Sequence, residues 1–336
     1  MHAGGVGMVR SRLVNIAVVC MSILAALAVC EIGLRITDSY RPPDDPIQTR
    51  RPDLYRADPN VGYTLWPSKM STDRYPERSK EVIPLVSNSD GFRNAREFNE
   101  RDGRVRILVV GDSFVLGLGV RAEDRLTEQL EALNARWRVD NMGMTGWGLD
   151  LMIRAIEHHG RKADPDVVVL AVYTDDFRRL VPYYAGVGYA YPKFDLNESE
   201  LTSVPFPYPR FWERLRLVQW VYQTRWERER NRYDLNEALL DRYLKAAGTI
   251  GFRPVVVFFP GRGDNREDRE RRGFLATWAA ARGVPFADLT TAIHGAGVDK
   301  VYIKGNPHWN PFGHRIAAVE LHNLLRRQLD EATPPS

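Results

Sequence analysis

Ser113 and His308, with two glycine-rich loops between and around them, are the side chains in this sequence best suited to act on a substrate together. Ser113 follows the run Arg106-Ile-Leu-Val-Val-Gly-Asp112. Arg106 to Val110 reads as a buried strand, because a short β-branched and aliphatic run that stops at a glycine is how a parallel core strand is written. Open α/β sheets place ligands at the carboxyl ends of such strands, and Gly111 permits a tight turn there. Ser113 is thus a candidate nucleophile, although Gly-Asp-Ser is also ordinary loop sequence. His308 lies in Gly305-Asn-Pro-His-Trp-Asn-Pro-Phe-Gly-His-Arg315. Asn310 followed by Pro311 is a helix N-cap with proline at the first helical position, so His308 sits in the loop just before a helix. There it is free to reach a strand end as a general base, the alternative being a surface histidine.

Two further segments could complete such a site. Asn141-Met-Gly-Met-Thr-Gly-Trp-Gly148 is a loop whose amides can face a developing oxyanion, or simply connect a strand to a helix. Asp175 and Asp176 follow the clearest strand, Asp166 to Tyr173. Paired acids at a strand end suit acid/base work; without nearby His or Cys they make a poor metal site, so neither metal nor cofactor is expected.

These residues need a scaffold, and the pattern of elements supplies one. Strands are expected at 106–110, 138–141, 166–173, 254–259 and 284–288. Helices are expected at 123–133, 149–159, 211–230, 235–250, from 264 through Trp278, and after Asn310 with Ala317, Leu321, Leu324 and Leu325 on one face. Strands alternating with helices imply an α/β fold with a mostly parallel sheet covered on both faces. Residues 177–209, rich in Tyr and Pro, read as a long loop over the site mouth, able to stack on a sugar ring or an acyl chain or simply to pack as a lid.

The 336 residues carry a net charge of +4 with a pI near 9.0. The charge comes from dispersed arginine, and the densest patch, Arg225 to Arg232, is interleaved with glutamates as on a solvated helix face. Nucleic acid is therefore not an expected partner. Cys20 and Cys30 both lie in one apolar run, leaving the rest of the chain without a disulfide or a cysteine metal site. That run, residues 13–34 after a tail at 1–12, reads as a transmembrane anchor or uncleaved signal anchor. A cleavage site at Ala25-Ala-Leu-Ala28 and a lipobox at Leu27-Ala-Val-Cys30 fit less well, the latter because of Val29. Charge does not fix orientation, since Arg10 and Arg12 precede the run and Arg35, Arg41, Arg50 and Arg51 follow it. Residues 35–100 read as a stalk and short-strand extension, and 101–330 as the catalytic domain.

Taken together, these blocks resemble the SGNH (GDSL-type) hydrolases. Gly111-Asp-Ser-Phe114 matches the first block and Asn141 to Gly146 the second; His308-Trp-Asn-Pro-Phe-Gly-His314 looks like the last. The likeness runs from about Arg56 to the C-terminus, including Asn60-Val-Gly-Tyr63 and Asn88-Ser-Asp-Gly-Phe-Arg93. It implies a flavodoxin-like three-layer sandwich in a membrane-anchored bacterial envelope protein, facing the periplasm or outside. It also implies Ser113 as nucleophile, His308 as base, and an oxyanion hole from Ser113, Gly146 and the residue at position 175.

Two positions depart from the family pattern. Asp175 stands where an oxyanion-donating asparagine is usual, and Gly305 and Asn306 stand where an aspartate usually orients the histidine. Asp175 held protonated could donate as the amide would. Asn306 could orient His308 through its carbonyl oxygen, Asp288 or Asp299 could substitute, or the site could be weakened. The resulting expectation is a serine esterase acting on an acylated glycan or a lipid ester. The alternatives are an envelope polysaccharide O-acyltransferase and a catalytically weakened glycan-binding protein; the oligomeric state is open.

Overall fold

The computed structural model describes residues 3–37, 51, 53–74, 81–180, 193–197, 200–204, 215–218, 220–221 and 232–330. The chain divides into two compact units, Met1–Asp44 with Tyr208–Glu229, and Asp45–Pro207 with Arg230–Ser336.

In the first unit, helix α1 (Ala3–Ile36) begins well before the expected residue 13. Its stretch Arg12–Ile36 is long and apolar enough to cross a membrane. At 1.5 Å per residue those 25 residues span roughly 37 Å, against a hydrocarbon core of about 30 Å. Leu13, Val14, Ile16, Leu24 and Val29 are all exposed, as a lipid-facing surface would be.

The second unit is built on a five-stranded parallel sheet. Its strands are β5 (Val105–Gly111), β6 (Trp137–Gly143), β7 (Val167–Tyr173), β10 (Arg253–Phe259) and β11 (Phe286–Asp288), in the spatial order β11-β10-β7-β5-β6. All four pairings are parallel. Numbering the sheet strands by sequence gives 2-1-3-4-5, the flavodoxin-like order, whose switch point lies between the first and third strands. Here that point is between β5 and β7, and Ser113 lies two residues past the end of β5.

Side chains alternate along each strand and so divide the core into two layers. Leu108, Val110, Val168, Leu170, Val256 and Phe258 face one side, under α4 (Leu149–Ala163), α5 (Tyr233–Ile250) and α6 (Arg266–Arg282). Ile107, Val109, Val167, Val169, Val255 and Val257 face the other. They lie under α3 (Leu126–Ala132), α7 (Thr290–Gly295) and α9 (Pro311–Asp330), where Ala317, Leu321 and Leu325 are buried as their spacing predicts. The short α2 (Ser113–Leu116) and α8 (Val298–Val301) are also α-helical in this unit.

Ahead of the sheet lie two antiparallel strand pairs. One is β1 (Tyr55–Asp58) with β2 (Gly62–Leu65), the other β3 (Met70–Asp73) with β4 (Ile83–Val86). Arg93 then reaches inward, its guanidinium donating to the carbonyls of Leu116, Gly117 and Val120 at the end of α2. The buried cation thus satisfies carbonyls that a short helix leaves without partners. The expectation of a structureless loop over 177–209 needs correction. Lys193–Asn197 (β8) and Glu200–Val204 (β9) form an antiparallel hairpin, with Phe194 held between the guanidinium groups of Arg154 and Arg242 at 4.1 and 4.5 Å. Residues 181–192 and 205–209 lie outside the described residues.

Candidate active site

Backbone geometry sets the candidate nucleophile, Ser113, first. Asp112 is the N-cap of α2, its Oδ1 accepting from the Phe114 N–H at 2.9 Å. Ser113 is therefore the first helical residue, and its own N–H is one of the donors that a helix start leaves without an intrahelical acceptor. A Cβ at Gly111 would fall 2.4 Å from Val115 Cγ2 and 3.0 Å from the Ala171 carbonyl, so a larger residue there would force Val115 to shift.

Ser113 Oγ lies 2.7 Å from His308 Nε2. Behind the ring, Asn306 Oδ1 is 2.9 Å from His308 Nδ1 and also accepts the His308 main-chain N–H at 3.0 Å. That second contact fixes the chemistry of the first. A main-chain N–H only donates, so the asparagine atom facing it must be the oxygen, and an oxygen facing Nδ1 requires a proton there. Nε2 then carries the lone pair that faces the serine hydroxyl, which is the tautomer a general base needs. The loop is pinned on both sides: Ile303 N–H donates to the His308 carbonyl, and Arg262 donates to the Asn306 carbonyl at 3.1 Å. Trp309 is fully buried against Phe114 and Phe259, while Phe114 also packs on the His308 ring at 5.1 Å.

Neither alternative acid reaches His308. Asp288 accepts from the main chain and hydroxyl of Thr290, and Asp299 is exposed beside Arg262. Burial pushes His308 down to about 4, the Asp112 carboxylate opposing and Arg179 reinforcing the shift.

The glycine loop packs directly on α2. Gly143 pairs with Gly111 across β5 and β6, and a Cβ at 143 would lie 2.2 Å from the Leu116 nitrogen. Asn141 ties the loop down, donating to the Val115 carbonyl at 2.6 Å and accepting from the Gly143 N–H. From the hairpin extension, Tyr63 donates to the Thr145 carbonyl at 2.6 Å, and Tyr55 shares a 3.0 Å hydrogen bond with the Thr145 hydroxyl. Gly146 takes φ +76°, the left-handed region that glycine occupies without strain.

Asp175 is the residue the structure sends elsewhere. Its carboxylate accepts from Arg178 at 2.6 Å and lies 3.6 Å from Arg271. Among the described residues it contacts neither Ser113 nor His308. Its carboxylate is thus engaged by guanidinium groups on the turn after β7 and on α6.

A buried cation that sequence reasoning passed over lies beside the nucleophile instead. Arg179 Nη1 donates to Asp112 Oδ2 at 2.9 Å, to the Trp147 carbonyl at 3.0 Å, and to Asp176. Asp112 Oδ2 in turn is 3.4 Å from Ser113 Oγ. One guanidinium thus joins the nucleophile turn, the glycine loop and the turn after β7. Asp176 is fully buried, and burial together with Asp112 pushes it well above the usual carboxylate range, against the opposing pull of Arg179 and of the Tyr173 N–H. The signal was present as the acid-to-arginine spacing of three from Asp176 to Arg179, where Arg179 caps the short helical turn Thr174–Arg178.

Its structural neighbours include G-D-S-L proteins and esterases. The chain is similar to the psychrotrophic esterase EstA from Pseudoalteromonas sp. at 12% identity and a TM-score of 0.46, covering 67% of this chain and 99% of that one. A member of the lipolytic protein G-D-S-L family from Veillonella parvula gives 17%, 0.42, 68% and 99%. A carbohydrate acetylesterase family member from Sinorhizobium meliloti gives 13%, 0.43, 67% and 99%. No protein-family model matches the sequence, nor does any curated protein.

Proposed function

We propose that this chain is a serine ester hydrolase of the SGNH type, carried on a membrane anchor with its catalytic unit outside the cytoplasm. The observation that carries this reading is the relay from Ser113 through His308 to Asn306, in which a main-chain donor fixes the asparagine oxygen and so the tautomer of the base.

In this mechanism Ser113 Oγ attacks the ester carbonyl while its proton passes to His308 Nε2. The oxyanion is held by the amides of Ser113 and Gly146, donors aimed at charge that exists only in the transition state. The alcohol leaves with the proton from Nε2, and water, deprotonated by the same nitrogen, releases the acid from Ser113. Asn306 orients the ring without lending it charge. The carboxylate that favours the imidazolium is Asp112, on the nucleophile's side. Acyl esters of a glycan or a lipid suit an enzyme at this location.

Ser113→Ala in the full-length protein tests the reading. Hydrolysis of p-nitrophenyl acetate should vanish, and a fluorophosphonate probe should label the wild type but not the variant. Hydrolysis that persists in the variant refutes the assignment.

A further inference from the structure

Within α1, the membrane-length stretch Arg12–Ile36 contains a single acidic residue, Glu31. It lies five residues before the helix end at Ile36, roughly 7–8 Å along the axis, so in a spanning helix it lies toward one membrane surface. Its carboxylate is not left to lipid. Oε1 accepts from the Arg216 N–H at 3.0 Å and from Arg35 Nε at 2.7 Å, and Oε2 accepts from the Leu217 N–H at 2.9 Å. Residues 216–218 and 220–221 are helical, so the anchor's acid meets the first amides of a second helical stretch. The two segments form one compact unit.

Composition sets this second segment apart. Tyr208–Glu229 holds three of the chain's eight tryptophans, Trp212, Trp220 and Trp226, with Tyr208, Phe211 and Tyr222, and five arginines among them. Leu215 and Trp220 are exposed. Large aromatic and aliphatic side chains mixed with arginine characterise helices that lie in the headgroup region, with rings at the acyl boundary and guanidinium groups on lipid phosphates. In water, exposed Leu and Trp beside an apolar span would be an aggregation hazard; continued into the same membrane, they are covered.

We propose that residues 215–218 with 220–221 make a second membrane contact, an interfacial stretch joined to the anchor through Glu31 and covered by the lipid surface that α1 enters. The proposal rests on α1 being retained in a membrane.

The test uses full-length protein in phosphatidylcholine/phosphatidylglycerol vesicles, with an environment-sensitive fluorophore on one cysteine. The first protein carries Cys20→Ser, Cys30→Ser and Trp220→Cys; the second carries only Cys30→Ser and is labelled at Cys20. Lipids brominated near the headgroup should cause a loss of emission at position 220, and aqueous iodide should cause little. Lipids brominated deep in the chains should quench Cys20. Quenching at Cys20 without quenching at 220 overturns the proposal while leaving the anchor intact; no quenching at Cys20 overturns the anchor reading itself. A position 220 shielded from both quenchers means that protein covers it, which also overturns the proposal. Leu215→Cys in place of Trp220→Cys gives the same readout if Trp220 is needed for folding. Adding Glu31→Ala should expose the label to iodide, and unchanged protection would refute the link through Glu31.

Discussion

Asn306→Asp probes the relay where it differs most from a charged triad. The aspartate keeps the acceptor for both the His308 main-chain N–H and Nδ1–H, at 3.0 and 2.9 Å, and adds a negative charge beside the ring. A neutral hydrogen bond contributes about 1 kcal/mol net and one to a charged partner about 1.5–3, so the imidazolium gains about 1–2 kcal/mol. At about 1.4 kcal/mol per pKa unit, the acid limb of kcat/KM, set by His308 at about 4 in the wild type, should move up by roughly one unit. If the transition state feels the same stabilisation, the plateau rises about tenfold. A pH series of kcat/KM with p-nitrophenyl acetate reads both numbers. Asn306→Leu removes the acceptor altogether, with a loss of up to about 10⁴-fold where the wrong tautomer dominates. An acid limb and a plateau both unmoved by Asn306→Asp would refute the argument that Asn306 orients the base.

Three further perturbations follow from the geometry. Arg179→Met leaves the Asp112 and Asp176 carboxylates buried without their cation, and urea unfolding should show a loss of about 3–5 kcal/mol along with reduced turnover; a loss below about 1 kcal/mol would contradict the network. Gly143→Ala drives a Cβ into the main chain of Leu116 and Val115, so the glycine loop must shift and kcat should fall about 10²-fold or more, as when an oxyanion donor is lost, whereas wild-type turnover would contradict the packing. Burial pushes His308 down to about 4 and His314 to about 3, so the unfolded chain takes up protons near 6.5 that the folded chain refuses. Stability therefore falls as pH drops from about 6.5 through 4 and toward 3, His308 alone accounting for about 3 kcal/mol by pH 4. A melting temperature flat from about pH 7 to 4 would contradict this, and His314→Gln should flatten the acid end of the slope.

The parallel sheet was legible because its strands are continuous β-branched and aliphatic runs, and burial on both faces demands that composition wherever the chain places them. The last helix was legible from Asn310, whose Oδ1 accepts from the N–H groups of Phe312 and Gly313 as an N-cap should. By contrast, the β8–β9 hairpin was hidden, since Lys193–Asn197 and Glu200–Val204 are short and mostly polar. Its aromatic, Phe194, reaches the core from a short polar strand and is flanked there by arginines from α4 and α5.

For the site, sequence alone determined which residues arrive at the sheet's carboxyl edge. Strand ends and helix starts are local features: Ser113, the glycine loop and Asp175 follow or flank strand ends, and His308 precedes a helix. Only the tertiary structure decided what each of them faces. Asp175 turns to Arg271, a cation brought from α6. Asn306 becomes an oriented acceptor because the main chain of His308 folds back on it. Arg179 reaches Asp112 because β5 and β7 are neighbours in the sheet although far apart in the chain. Partner choice depends on distances between segments remote in sequence, and no local propensity encodes it.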